Sequence, residues 1–302
     1  MTEIAVTLCT FRRPEVVQTL QSLFDQSLPE TVRLRIIVVD NDDTPSGRAA
    51  VEAAGQDAPW PVTYLHAPAR NISIARNAGL SAAGDAEWIA FLDDDEIADP
   101  DWLGRILSCA RQTGADAVFG PAIAEYDENA PSWMRARDYH SNHPVRNGGN
   151  VITGHTCNSI LRWRNTEWRD CRFDLSRGQS GGEDTAYFLT LYRRGARFAI
   201  CPEAIVREPV SPARLSFAWI ARRKYRSGQS FAASASGLSQ CLRLTVTSGG
   251  KAGICAVAAL LSLPVEEKRN FWALRGIMHM GVMAGLLNLG QAAHYGRADE
   301  AS

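Results

Sequence analysis

Short runs of β-branched and aliphatic residues alternate with segments of helical period through the first 126 residues, and this alternation leaves few folds open. The runs "IAVTLCT", "LRIIVVDND", "PVTYLH", "EWIAFLD" and "ADAVFGPAIAEY" read as five strands. Between them, Val16, Val17, Leu20, Leu23, Phe24 and Leu28 recur on one helical face behind Pro14, and a second helix is expected near residues 73–83, ended by Gly84. "DPDWLGRILSCARQ" predicts a third helix with acids in its first turn. Such strand–helix repetition predicts a Rossmann-like, mostly parallel α/β sheet flanked by helices rather than a sandwich or a bundle. It also sets Thr10, Asp40 and Asp93 at the carboxyl ends of strands, the rim where open α/β sheets hold their ligands.

Beyond this region the pattern loosens. In residues 127–180, Trp133, Trp163 and Trp168 interleave with Arg, Asn, Gly and His, as expected of short strands and specificity-bearing loops. Residues 185–194 predict a helix ended by Gly195, "RFAICPEA" a strand, and 212–230 a basic, aromatic helix. The tail carries two apolar stretches, "AGICAVAALLSLP" and "GIMHMGVMAGLLNLGQAA", on either side of charges at Glu266 to Arg269. Neither reaches the roughly 20 apolar residues of a comfortable bilayer span, and His279 and Asn288 count against the second. Two core helices and a helical hairpin at a membrane surface, through 241–293, are both open readings.

The formal net charge is −1, which gives no field that would gather nucleic acid, so any charge-based function is local. Seven cysteines without a Cys-x-x-Cys pair read as reduced thiols of a cytoplasmic protein. "MTEIAVTLCT" has an acid where a secretory leader has a basic segment, so no signal peptide is expected.

The chemistry concentrates in a few stretches. "WIAFLDDDEIADPDW" ends a strand in six acids within nine positions. Asp93 and Asp95 suit a hard cation, Mg²⁺ or Mn²⁺, which keeps waters and takes its remaining ligands from substrate phosphates, whereas Asp99 and Asp101 read as the opening of the next helix. "ARNISIARNAGL" presents Arg70, Asn71, Arg76 and Asn77; an Arg fork matches a diphosphate, and an ion pair between Arg76 and the Asp93 group is the competing reading. "GGEDTAYFL" puts Glu183 and Asp184 at the start of a helix, whose positive end keeps a carboxylate ionised, as a general base requires. Asp40 in "DNDDTPSG" is a turn-former or a ligand. His155 in "TGHTCNS" reads as an ordinary structural histidine, and Arg222, Arg223, Lys224 and Arg226 as a solvated basic face or a diphosphate contact.

In order and spacing, "VTLCTFRRP", "VVDND", "ARNISIARNAGL" and "FLDDD", followed by "GGEDTAYFL" and "LYRRG", resemble the family 2 glycosyltransferases over about residues 3–230. Within that family the likeness is to bacterial enzymes that build exopolysaccharide repeat units of the succinoglycan type. The resemblance implies a GT-A fold over a catalytic domain of 1–230, with a nucleotide-sugar half to about 126 and an acceptor half from 127; residues 231–302 form a helical C-terminal appendage, for which the membrane-associated reading and the core-helix reading above both stay open. It further implies an inverting, metal-dependent hexosyltransferase. Thr10, Phe11 and Arg12 would hold the base of the nucleotide sugar, and Asp40 the base or ribose. Arg70, Asn71, Arg76 and Asn77 would line the donor site. Asp93 would face the ribose or the metal, Asp94 fills the variable place of the motif beside the donor, and Asp95 would ligate Mn²⁺ or Mg²⁺. Asp184 would be the base, with Glu183 its neighbour and fallback.

By the same resemblance the donor is a UDP-sugar, UDP-glucose by preference. The acceptor is a glycan or a polyprenyl-diphosphate-linked saccharide at the inner face of the cytoplasmic membrane. The chain lacks the Gln-x-x-Arg-Trp motif of processive members, which favours single addition. A sugar nucleotidyltransferase is the competing enzyme class, but "CTFRRPEVV" has no glycine for its phosphate loop. A non-catalytic scaffold is disfavoured because Asp95 and the Glu183-Asp184 pair are intact.

Overall fold

The computed structural model describes residues 1–232, 235 and 237–287. Its strands are β1 (Thr2–Thr10), β2 (Val32–Asp40), β3 (Val62–His66), β4 (Trp88–Asp93), β5 (Ile97–Ala98), β6 (Ala117–Phe119), β7 (Ala122–Glu125), β8 (Asn158–Arg162), β9 (Phe198–Ile200) and β10 (Val206–Pro209). Its helices are α1 (Val16–Phe24), α2 (Arg48–Gly55), α3 (Ile72–Ala82), α4 (Trp102–Thr113), α5 (Ser132–Arg137), α6 (Glu183–Arg193), α7 (Phe217–Ala232), α8 (Leu238–Leu261) and α9 (Glu266–Leu286). Asn288 and the rest of the second apolar stretch lie outside the described residues.

The chain divides into two compact units, one of Met1–Glu125 with Ser141–Pro209, the other of Tyr126–His140 with the described residues from Val210 on. These bounds cut the sequence differently from a single division at 230.

The first unit is built on a seven-stranded sheet of order β3-β2-β1-β4-β8-β6-β9. From β3 to β4 neighbours run parallel, with Thr10 opposite Asp40 and Cys9 opposite Asp93, so the three polar strand ends share one rim, as expected. Each face of the sheet buries its own core. Ile4, Val6 and Leu8 face Leu20 and Leu23 of α1 and Trp102 and Ile106 of α4. Ala5, Ile37 and Val39 pack with Leu80 of α3 and Phe188 of α6 on the other side. Alternate residues of β1 thus point to opposite layers, and each fully buried Leu stabilises the unit by about 1.5–3 kcal/mol.

Three departures from the expected elements matter for the site. First, "ADAVFGPAIAEY" is two strands in two sheets: Pro121, which has no N–H to give a ladder, ends β6, and β7 joins β10 and β5 in a separate three-stranded sheet. Second, β8 enters the main sheet antiparallel to both β4 and β6, with Leu92 opposite Asn158. Asn158 pins this junction: its Oδ1 accepts from Trp102 Nε1 at 2.8 Å, and its Nδ2 donates to the carbonyls of Pro121 and Ala204 at 2.9 and 2.7 Å. Third, α4 begins at Trp102 with no acid in its first turn. Asp101 sits at the N-cap and pairs with Arg105, while Asp99 is drawn instead to Arg207 of β10 at 2.9 Å.

In the second unit α9 packs against both α7 and α8. The crossing with α7 is close because it uses glycine on both sides: a Cβ on Gly228 would stand 2.1 Å from the Met278 carbonyl, and one on Gly281 2.0 Å from that of Tyr225. The two tail helices then differ in kind. Helix α9 buries Leu274, Val282 and His279, as a core helix does. Helix α8 is 24 residues long, with a mean hydropathy of 1.5 over its most apolar window, and by length and composition it is long and apolar enough to cross a membrane. That corrects the expectation that neither stretch is long enough. It buries only Ser248 and Cys255 and leaves Ile254, Val257, Leu260 and Leu261 exposed.

Candidate active site

The turn after β1 carries two arginines, each of which meets acids from a different strand end. Arg12 has a left-handed backbone (φ 54°), an uncommon state for a residue with a side chain and one that clusters at functional sites. Its guanidinium lies 5.2 Å from the Phe11 ring centroid and pairs with Asp42 at 2.9 Å, which holds the Asp42 carboxyl below its ordinary range. Arg13 reaches Asp94 at 3.2 Å and also binds Asp95. Nothing in the spacing of the sequence marks Asp42 as a site residue, and the only local signal for Arg13 is the doubled Arg in "TFRRP".

Asp40 is fully buried and organises the loop that follows β2. Its two oxygens accept from the Asp42 amide at 3.0 Å, the Gly47 amide at 2.8 Å and the Tyr64 hydroxyl at 2.7 Å. The turn-forming reading of Asp40 is therefore occupied in full. Thr10 is buried beside it.

The segment before α3 also does structural work. Arg70, left-handed like Arg12 (φ 46°), pairs with Asp43 at 2.5 Å. Asn71 caps α3, its Oδ1 accepting from the amides of Ser73 and Ile74 at 3.1 and 3.3 Å. Asn77 exchanges two hydrogen bonds with the backbone of Phe173, at 3.0 and 2.8 Å. Arg76 is the ion pair that the sequence offered as the competing reading. It is buried, bonds Glu183 and stands 3.9 Å from Asp93, so one cation joins the end of β4 to the start of α6.

At the end of β4 the acids separate by environment. Glu96 is buried and accepts from the Asp93 amide at 2.9 Å, closing the turn, and burial raises its carboxyl well above the ordinary range. Burial pushes Asp94 up to about 7 against the pull of Arg13; Asp93, whose side chain is 44% exposed, is raised as well by partial burial against the pull of Arg76, and Asp95 adds to the rise at both. Asp94 Oδ2 is buried without a hydrogen-bond partner. Asp93 and Asp95 are hard oxygen donors of the kind a divalent cation takes, and Arg13 now supplies positive charge to Asp95. Among the described residues no three His, Cys, Asp or Glu side chains are gathered to hold a metal. An ion held by Asp93 and Asp95 would need its other ligands from water and substrate phosphates.

Helix α6 begins behind Gly181 and Gly182, both left-handed, and presents Glu183 and Asp184 in its first turn. Glu183 faces inward to Arg76, and burial raises its carboxyl despite that cation. Asp184 is held differently: Oδ1 accepts from the Thr185 amide at 2.6 Å, and Oδ2 lies 2.9 Å from Nδ1 of His155. Burial pushes this carboxyl up, but His155, Arg76 and the Thr185 amide override it and hold it at about 2. The histidine read as structural is thus the partner of the candidate base. No spacing in the sequence announces it, because His155 and Asp184 meet only when β8 runs antiparallel.

Comparison with known proteins places the chain. Residues 5–166 match the model described as glycosyl transferase family 2, and residues 88–288 the model described as glycosyl transferase family group 2. The chain belongs to glycosyl transferase family 2. A curated relative, the succinoglycan biosynthesis protein ExoM of Rhizobium meliloti (strain 1021), is 47% identical over 99% of this chain and 97% of its own length. Among solved structures, the mannosyltransferase PcManGT from Pyrobaculum calidifontis, in complex with GDP-Man and Mn²⁺, is similar at a TM-score of 0.65 and 17% identity, over 95% of this chain and 88% of that one. S. aureus TarS 1–349 in complex with UDP is similar at a TM-score of 0.54 and 15% identity, over 96% of this chain and 93% of that one, while a longer TarS chain is covered over 55% of its length. These structural likenesses establish the GT-A sheet of this family 2 glycosyltransferase. Family membership also decides against the nucleotidyltransferase reading.

Proposed function

We propose that this family 2 glycosyltransferase moves a hexosyl group from a nucleotide sugar, inverting its configuration, onto a glycan or polyprenyl-diphosphate-linked saccharide in bacterial exopolysaccharide synthesis. The observation that carries the reading is geometric: Arg76 joins Asp93 at the end of β4 to Glu183 at the start of α6, so the neighbouring carboxylate Asp184 stands close to the strand-end acids. In the step proposed, the acceptor O–H bond breaks and Asp184 takes the proton. The oxygen's electron pair forms the new bond to the anomeric carbon, and the pair of the old carbon–oxygen bond leaves with the nucleoside diphosphate.

Donor contacts in this reading fall to Phe11 and Arg12 for the nucleoside, with Thr10 and the buried Asp40 shaping the turns that would hold it, to Asp93 for the ribose or the metal, and to Arg70 and Arg76 for the diphosphate side. Asn71 and Asn77 position the start of α3, and Asp94 sits behind the motif on Arg13. Asp95 and Asp93 would hold Mn²⁺ or Mg²⁺, which, when bound, offsets charge on the leaving diphosphate. The relatives' names support a sugar-nucleotide donor and a Mn²⁺-compatible site: GDP-Man and Mn²⁺ in one solved neighbour, UDP in the other. UDP-glucose is our preferred donor. A panel of UDP-, GDP- and TDP-sugars, with and without Mn²⁺, tests this by thermal shift and by release of nucleoside diphosphate. Stabilisation by no member of the panel would sink the reading.

The metal assignment has its own test. Asp95→Ala is expected to remove the Mn²⁺-dependent part of donor stabilisation; at donor concentrations about 100 times Kd a full binding effect is about 2.7 kcal/mol, ample for detection. Retained Mn²⁺ dependence would place the ion elsewhere.

We further propose that α8 lies on the inner face of the cytoplasmic membrane. Its exposed Ile254, Val257, Leu260 and Leu261 would enter the interface, and Arg243 and Lys251 would meet anionic headgroups. Ile254→Asp with Leu261→Asp, both at exposed positions, should weaken sedimentation with phosphatidylglycerol vesicles about tenfold or more without lowering the unfolding midpoint. Equal sedimentation of parent and variant would rule the face out.

A further inference from the structure

The loop of residues 151–157 is fastened to the start of α6 twice. Thr153 Oγ1 donates to the Thr185 carbonyl at 2.9 Å, and His155 Nδ1 meets Asp184 Oδ2 at 2.9 Å. An ionised carboxylate only accepts, so Nδ1 carries the proton in this contact, and the neutral ring already has the tautomer that Asp184 needs. Both Asp184 oxygens are then held, one by the Thr185 amide and one by the ring. The ring is 43% exposed, against 18% for the Asp184 side chain, so His155 exchanges protons with solvent more readily than its partner.

We infer that His155 is a positioning residue that gates Asp184: as a neutral ring it orients the carboxylate toward the acceptor hydroxyl, and as a cation it locks the carboxylate in an ion pair that will not take the acceptor's proton. The inference rests on Asp184 being the base. Its balance is that of the transfer step: the acceptor's proton goes to Asp184, and the second proton that silences the site comes from solvent onto the imidazole.

Other charges surround the pair. Glu183 and Arg76 stand beside Asp184, Asp93 lies near Arg76, and Cys157, two residues from His155, is in the field of Glu96, Asp93, Asp184 and Glu208. Arg76 keeps its proton throughout. The carboxyls of Asp93 and Asp94 are raised toward the imidazole range, so an acid limb in the pH–rate profile does not by itself identify His155. Substitution separates them.

The test is the pH–rate profile of nucleotide-sugar turnover by the full chain, with the donor that the panel selects, for the parent, His155→Asn and Asp184→Asn. An Asn amide keeps a donor near the Nδ1 position and does not titrate. The parent is expected to lose activity as pH falls through the imidazole range, since protonation there closes the gate. His155→Asn should stay within about tenfold of the parent at pH 8, and its rate at pH 5.5 relative to pH 8 should exceed the parent's ratio by about threefold or more. Superimposed profiles would overturn the gate and leave the limb to Asp93 or Asp94. Should His155→Asn fail to fold, His155→Gln carries the same expectation; loss of turnover at every pH in both, with donor binding intact, would also overturn it. Full activity in Asp184→Asn instead removes the base assignment itself, so the two failures are distinct.

Discussion

Asp184→Asn should lower transfer by about 10²- to 10⁴-fold while leaving donor binding within about twofold of the parent, the range spanned when a positioned general base is lost. The substitution keeps the shape of the side chain and its contact with the Thr185 amide, but an amide oxygen cannot hold the acceptor's proton. Binding should survive because the residues proposed for the nucleoside and diphosphate lie at the ends of β1, β2 and β4 and on the segment from β3 into α3, not on α6. Kinetically, the loss should fall in kcat and kcat/KM equally, the signature of an interaction made in the transition state. A rise in KM alone would make Asp184 an acceptor-binding residue and return the base to Glu183.

The second large effect is on stability. Arg76→Ala removes the cation that faces Glu183, a carboxylate only 2% exposed whose Oε2 already lacks a hydrogen-bond partner. Truncating one member of such a buried pair costs about 3–5 kcal/mol, because the remaining charge cannot be resolvated. Urea unfolding should therefore shift to a clearly lower midpoint, and Arg76→Met combined with Glu183→Gln should recover a substantial part of the loss. A double variant no more stable than the single one would mean that Arg76 acts through other contacts. The pair is also a link between the end of β4 and α6, so the single substitution should disturb both sides of the site together.

What the sequence could and could not convey follows from the range of each interaction. The strands from β1 to β4 are legible because burial on both faces demands unbroken aliphatic runs, and the rim follows from the strand ends alone. Helix α2 is not legible: it is eight residues long and buries only Val51. Strand β8 is five residues in a region without period, and its antiparallel place between β4 and β6 is a pairing choice that no local composition records. The same limit applies within the site. "TFRRP" shows two arginines, but which acids each one meets depends on residues about 30 and 80 positions away. Asn71 and Asn77 look like ligand contacts in "ARNISIARN", yet the helix end and the Phe173 backbone take their amides. His155 lies 29 positions from Asp184 and is brought to it by the reversed strand.

That reversed strand has a bearing on how such a protein changes over time. Because β8 starts where β4 ends, the residues leading into β8 arrive at the same edge as the acids leaving β4, although the two peptides are separate in sequence. Insertions or substitutions in residues 141–154 can remodel what lies next to His155 while the strands that carry Asp40 and Asp93 keep their register. Changes there bear first on the side facing Asp184, while Arg76 still ties that side to the end of β4.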